Sequence, residues 1–542
     1  MARIDLPVPG RSMVASTGGI VAASSPLAAR AGTVVLERGG HAVDAAIAAN
    51  AVLNVVEPAM NGVGGDLFAI VYIASEDRLY GLNASGWTPA GLSAETLTAK
   101  GLTALERDIH SVTVPGAVAG WDAMHRRFGA VPLSVSLAPA IAHAERGFPV
   151  SEVVAGEWDF WKDILTKTEA AKATYLLDGG TRAPRGGELF RNPDLAATLR
   201  RIADQGRDGF YRGRTADAIL ALSESLGGTL RADDLTAFDA EWVDPIETTY
   251  RGWTVSEIPP NSQGIAALMM LNIMERSPLG DYGFHSPRAL HTMIEAKKLA
   301  YADMIAYVGD PRTTQVPVAA MLSAEHAAER AALIDASRAA CAVEAAQLDG
   351  VTNSAGNDTI YLSVIDRDGN IVSLIQSIYQ AFGTGLVPEG TGFALHNRGQ
   401  LFTLEPGHAN TLAPRKRPVH TIIPGFLRND DLRIGFGIMG GWNQAQAHAQ
   451  FVSHVVDHGL NLQQALEAGR FTKATFEGCD VQIEPKVPQS TRDALTALGH
   501  ELQVEGPRTG IFGWGQAVML RRSDGVHFGA SDSRHDGAAI PE

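Results

Sequence analysis

Residues 347–358 read QLDGVTNSAGND, and residues 359–377 read TIYLSVIDRDGNIVSLIQS. The first stretch is polar, rich in Gly, Asn and Ser, and has no hydrophobic period, so it reads as a loop. The second holds two alternating apolar runs around Arg367-Asp368-Gly369-Asn370. That is a strong β-hairpin signal, because Asp-Gly tolerates the positive backbone angles of a tight turn. A loop therefore runs directly into a strand headed by Thr359. A strand threonine is ordinarily unremarkable, since β-branched residues suit strands, and its hydroxyl has no base of its own. If the bond between Asp358 and Thr359 were cut, Thr359 would gain a free α-amine. Such an amine has a reference pKa of about 8 and accepts a hydroxyl proton at physiological pH. One residue would then hold nucleophile and base, and the loop would present the carbonyl that self-cleavage needs.

Outward from this hairpin, the chain reads as an ordinary globular protein. It has 542 residues, with 45 basic against 60 acidic side chains and a net charge of −15. The length suggests three to four domains, or one large catalytic unit. The acidic balance argues against a nucleic-acid or anionic-membrane surface, and no run of about 18 apolar residues exists to span a bilayer. The N-terminal stretch MARIDLPVPGRSMVAS has no continuous apolar segment, so a cytoplasmic protein is expected. Cys341 and Cys479 are too few for a disulfide framework or a thiolate metal site.

Helix signals flank the hairpin. Ser25-Pro26 and Gly39-Gly40 bound a helix over 28–38, an Ala-rich helix follows over 42–56, and a long one starts after Ser286-Pro287. Two strand-like runs surround Ser75-Glu76-Asp77. Gly440-Gly441 sits between a strand and a helix and could offer backbone N–H groups to an oxyanion. His454 and His458 lie one helical turn apart around Asp457; no third ligand is nominated, so the pair reads as a half-exposed helix face rather than a metal site. No phosphate-binding loop, dinucleotide fingerprint or serine-hydrolase elbow occurs, and no cofactor or metal is expected.

These motifs together resemble the gamma-glutamyltranspeptidase family of N-terminal-nucleophile hydrolases. The resemblance runs through GGHAVDAAIAANAVLNVVEPAMNGVGGD (39–66), SVTVPGAVAGWDAMHRRFG (111–129), DTIYLSVIDRDGNIVSLIQSIYQAFGTG (358–385), APRKRPVHTIIP (413–424), MGGWNQAQAHAQ (439–450) and GLNLQQALEAGRF (459–471), in the family's order and spacing. It implies an α+β, four-layer αββα sandwich built from a precursor that cuts itself between Asp358 and Thr359. The products would be a large subunit, 1–358, and a small subunit, 359–542, held as a heterodimer, with room for a dimer of heterodimers. Thr359 would be the nucleophile, Gly440 and Gly441 the oxyanion glycines, and Ser377 the residue near the nucleophile's amine.

The departures from the family bear on substrate. Gamma-glutamyl enzymes are expected to clamp the donor's α-carboxylate with an arginine, where NASGWTP (83–89) places Ser85. They clamp its α-amine with an acid, where LHNRGQLF (395–402) places Leu401. Tyr379 replaces an asparagine and His420-Thr421 a Ser-Ser pair. A buried carboxylate or ammonium without a partner costs several kcal/mol, so a zwitterionic glutamyl head is disfavoured. Arg398 is new and could pair bidentately with a carboxylate; a structural pairing at the surface is the alternative. Arg398, Tyr379, His420 and Thr421 would line the acyl pocket. The pattern resembles the amidohydrolase branch, with oxamate amidohydrolase and cephalosporin acylases, and implies a small-molecule amide substrate bearing a small-acid or dicarboxylic acyl group. Two other readings remain: a gamma-glutamyltransferase or glutathione hydrolase, and an unprocessed, catalytically silent binding homologue.

Overall fold

The computed structural model describes residues 10–346, 359–506 and 510–542. The loop expected over 347–358, with Asp358 on the carbonyl side of the expected cut, lies outside the described residues. The Asp-Gly hairpin forms as read: strands β8 (Ile360–Ile365) and β9 (Ile371–Ser377) pair antiparallel with Ile360 opposite Gln376 and Ile365 opposite Ile371. Both strands are buried on both faces, and the rest of the fold is arranged around them.

Before the hairpin come β1 (Val14–Ser16), β2 (Ile20–Ala23), β3 (Asp66–Ile73), β4 (Arg78–Ala84), β5 (Glu241–Val243), β6 (Ile246–Tyr250) and β7 (Trp253–Glu257). After it come β10 (Gly425–Arg428), β11 (Leu432–Ile438), β12 (Gly515–Arg521), β13 (Val526–Ser531) and β14 (Ala538–Pro541). They make two seven-stranded sheets, in the orders β14–β2–β8–β9–β3–β4–β5 and β1–β13–β12–β11–β10–β7–β6. All neighbours in both sheets run antiparallel. The sheets stack through close backbone approach: a Cβ on Gly437 would lie 2.4 Å from the Tyr361 ring, and one on Gly435 would lie 2.6 Å from Ile371.

Helices α1 (Pro26–Glu37) and α2 (Ala42–Val56) cover the outer face of the first sheet. Helix α2 is buried at every position, which its alanines allow by letting the backbone approach its neighbours. Its N-terminus is closed by His41 and Asp44, which accept from Val43 N and His41 N respectively. Helices α3 (Gly264–Met274) and α5 (Asn443–Val456) cover the second sheet, and α4 (Pro287–Tyr307) packs on α3. The expected four-layer αββα sandwich is therefore present. Strands from before and after residue 359 interleave in both sheets, so the segments 1–358 and 359–542 are not independently folding domains, and the chain is one catalytic unit rather than three or four. Among the described residues no helix is long and apolar enough to cross a membrane.

Candidate active site

Thr359 directly precedes β8, one step beyond the Ile360–Gln376 pair, which places it across from Ser377 at the end of β9. Both are buried. The Ser377 hydroxyl accepts from Tyr379 N at 2.8 Å and holds Tyr379 at φ +76°, a region a bulky side chain occupies only when its surroundings enforce it. The Thr359 hydroxyl accepts from Gln444 Nε2 at 3.2 Å, and Gln444 belongs to the first turn of α5.

The expected pocket residues come together. Arg398 is fully buried, which overturns the surface-pairing alternative. Its Nη1 donates to Thr421 Oγ1 at 2.7 Å, its guanidinium lies 4.6 Å from the Tyr379 ring centroid, and its Nε is 3.6 Å from Asp66 Oδ2. Nη2 is buried with no hydrogen-bond partner among the described residues. Asp66, the head of β3, gathers the cluster: His420 Nε2 is 3.0 Å and His396 Nδ1 3.1 Å from its Oδ2, and Gly86 N donates to its Oδ1 at 2.9 Å. Burial alone would raise the Asp66 carboxyl, but His396 and His420 outweigh it and hold the group far below the usual carboxylate range. Burial, and then the charge of Arg398, push His420 down to about 3 against the pull of Asp66. Its Nδ1 accepts from Ile422 N, so this neutral ring carries its proton on Nε2 and donates to Asp66. Burial lowers Arg398 to about 10, with Asp66 and Tyr379 opposing. At neutral pH the guanidinium is charged.

The third part of the site is the turn from β11 into α5. Gly440 and Gly441 have φ +116° and +57°, which glycine adopts without strain. The Gly440 carbonyl accepts from Asn443 N at 2.9 Å, so the Gly441 N–H, trans across the same planar peptide, points away from the helix. Gln263 clamps this turn to the pocket: its Nε2 donates to Gly441 O at 2.7 Å and also to Thr421 O. Tyr301 OH donates to Trp442 O at 2.5 Å. The sequence reading nominated none of Asp66, His396, Gln263 or Gln444. For Asp66 a signal existed, an acid opening an otherwise apolar buried strand, which requires a partner.

The two missing clamps are also located. Ser85 is buried, its hydroxyl accepting from Asn261 Nδ2 at 3.2 Å. Leu401 is buried in the same apolar cluster as Tyr379, which suits no ammonium. His454 does not lie on a half-exposed face: it is buried, 5.9 Å ring to ring from His285, with Nδ1 facing Ala465 O. Among the described residues His291, Glu295 and His500 have metal-like spacing. There, however, Lys298 Nζ lies 2.7 Å from Glu295 Oε1, and His291 Nδ1 lies 2.8 Å from His500 Nε2, so the groups already serve one another. Cys341 and Cys479, too few for a framework, nevertheless form one disulfide with Cα atoms 4.7 Å apart.

The family model for gamma-glutamyltranspeptidase matches residues 28–542. The chain belongs to the gamma-glutamyltranspeptidase family. It has that family's N-terminal-nucleophile hydrolase fold and is a hydrolase of that family. A glutathione hydrolase-like proenzyme of Bacillus subtilis is 33% identical over 97% of this chain and 99% of its own length. An oxamate amidohydrolase proenzyme of Klebsiella pneumoniae is 32% identical over 97% and 98% respectively. Among solved structures, a cephalosporin acylase from Bacillus halodurans superposes with a TM-score of 0.92 at 41% identity, covering 99% of this chain and 98% of its own.

Proposed function

We propose that this gamma-glutamyltranspeptidase-family enzyme is an autoprocessed threonine amidohydrolase whose acyl donor carries a carboxylate. In the uncut chain the Thr359 hydroxyl oxygen attacks the Asp358 carbonyl carbon. The new C–O bond forms as the C–N bond breaks, and the hydroxyl proton passes to the departing nitrogen. Water hydrolyses the ester, leaving a carboxylate on Asp358 and a free amine on Thr359, and the two chains remain together as a heterodimer.

In turnover the α-amine takes the hydroxyl proton while the oxygen attacks the substrate amide. Backbone N–H groups at Gly440 and Gly441 hold the oxyanion, Ser377 orients the amine, and the leaving nitrogen departs with the proton. Water, deprotonated by the same amine, then cleaves the acyl ester and restores the hydroxyl. The catalytic groups are thus Thr359, Gly440 and Gly441, and Arg398, Tyr379, His420 and Thr421 line the acyl pocket.

The observation that carries the substrate class is Arg398: a fully buried guanidinium, backed by Asp66 through Nε, whose Nη2 has no hydrogen-bond partner among the described residues. A guanidinium edge of this kind matches a carboxylate. The relatives named for oxamate and cephalosporin fit a small-acid or glutaryl-like acyl group, and apolar Leu401 opposes a glutamyl ammonium. Two measurements test the reading. Thr359→Ala should run as one uncut chain without activity; a cut, active variant would refute the nucleophile. Anilides of glutaric acid, and oxamate itself, should outrun a gamma-glutamyl anilide; the reverse order would make the protein a glutathione hydrolase.

A further inference from the structure

We propose that Gln444 is a further catalytic residue of this site, its side-chain amide fixing the Thr359 hydroxyl oxygen for attack in both self-cleavage and turnover. The proposal rests on Thr359 being the nucleophile. Gln444 is fully buried in the first turn of α5. Its Nε2 donates to Thr359 Oγ1 at 3.2 Å, and its Oε1 accepts from Ile423 N at 3.0 Å. The amide orientation is therefore settled: turned over, it would set its NH2 against the Ile423 N–H, donor to donor. Its own backbone N–H donates to Gly441 O at 3.1 Å, tying the residue to the oxyanion turn.

A hydroxyl has one proton and two lone pairs. Gln444 engages one lone pair, attack on the carbonyl carbon uses the other, and in turnover the proton passes to the α-amine. The same N–H faces the oxygen when it becomes the leaving atom of the acyl ester, where negative charge develops and a preplaced donor is most effective. Among the described residues Gln444 hydrogen-bonds with Thr359, Ile423 and Gly441 and with no residue of the Arg398 pocket, so its effect belongs on the chemical step and not on substrate affinity.

The test is Gln444→Glu, which keeps an acceptor for Ile423 N but sets a carboxylate oxygen against Thr359 Oγ. With melting temperature and KM close to wild type, kcat for a glutaryl anilide should fall about 10- to 100-fold, and the uncut band should persist longer on denaturing gels. As the pH is lowered, the ratio of variant to wild-type kcat at the same pH should rise, because both lose the α-amine base equally while a buried glutamic acid has a raised pKa and once protonated again donates. A purely structural role would not produce that recovery. If Gln444→Glu does not fold, Gln444→Met serves, with the same loss and no acid recovery. Wild-type kcat and cleavage rate, or a raised KM at unchanged kcat, would overturn the role of Gln444 while an inactive Thr359→Ala upheld the nucleophile. An active Thr359→Ala would remove both.

Discussion

Replacing Arg398 by glutamine separates an anion receptor from a scaffold. The guanidinium is fully buried, and Nη2, without a hydrogen-bond partner among the described residues, would with the rest of its edge give the proposed donor carboxylate charge-assisted hydrogen bonds. Hydrogen bonds to charged groups contribute about 1.5–3 kcal/mol each. Losing the pair should therefore cost about 3 kcal/mol, or roughly 150-fold in kcat/KM for a glutaryl amide. A butyryl amide, which is the glutaryl amide without its terminal carboxylate, has nothing to lose at this point, so the ratio of the two rates is the readout. The substitution also removes the Nε that lies 3.6 Å from Asp66 and the donor to Thr421. Asp66 keeps the Gly86 N–H and the His420 ring, which limits the damage. The paired variant Asp66→Asn/Arg398→Gln removes both charges together and controls for a stranded carboxylate. Steady-state kinetics on both amides, with melting temperatures, decide it. An equal fall for the glutaryl and butyryl amides would show that Arg398 only supports the pocket, and the reasoning would fail.

The disulfide and the pocket's titration give two more expectations. Cys341 precedes the proposed cut and Cys479 follows it, so processed protein should run as one species on a non-reducing gel. Reductant should resolve it into chains of 358 and 184 residues (542 − 358); two bands without reductant would refute the crosslink. Disulfides persist in oxidising compartments, so protein isolated with this bond intact would also count against a cytoplasmic location. His420, lowered to about 3, stays neutral until the pH falls that far, and Arg398, lowered only to about 10, stays charged below it. KM for a glutaryl amide should therefore be level from about pH 5 to 9, while kcat rises as the α-amine loses its proton at about pH 8. A KM midpoint inside that window would show that a group in the pocket changes charge there, against this expectation.

Local pattern carried most of the fold. The alternation around Asp368-Gly369 marks β8 and β9, and the alanines between Gly40 and Pro58 mark α2, because period and turn chemistry are written over a few neighbouring residues. The proposed reacting groups were nominated for another reason, the match of Thr359, Gly440 and Gly441 to a family pattern. The supports of the pocket were not. Asp66 meets His420 across 354 positions, and Gln263 meets Gly441 across 178; nothing near either residue specifies its partner. Gln444 falls in the run QAQAHAQ, whose polar members are all buried in α5, and only the packed helix shows which one reaches Thr359. The disulfide was likewise invisible, since two cysteines 138 positions apart say nothing about proximity until the chain is folded.

The braiding of strands from either side of residue 359 has a genetic consequence. In one sheet β2 lies between β14 and β8, and in the other β10 is followed by β7. Parting the two products would strip backbone ladders from both sheets at once, so partners chosen at birth are kept for the life of the molecule. Two defective alleles, one altered in each product, would therefore fail to rescue each other when mature proteins are mixed.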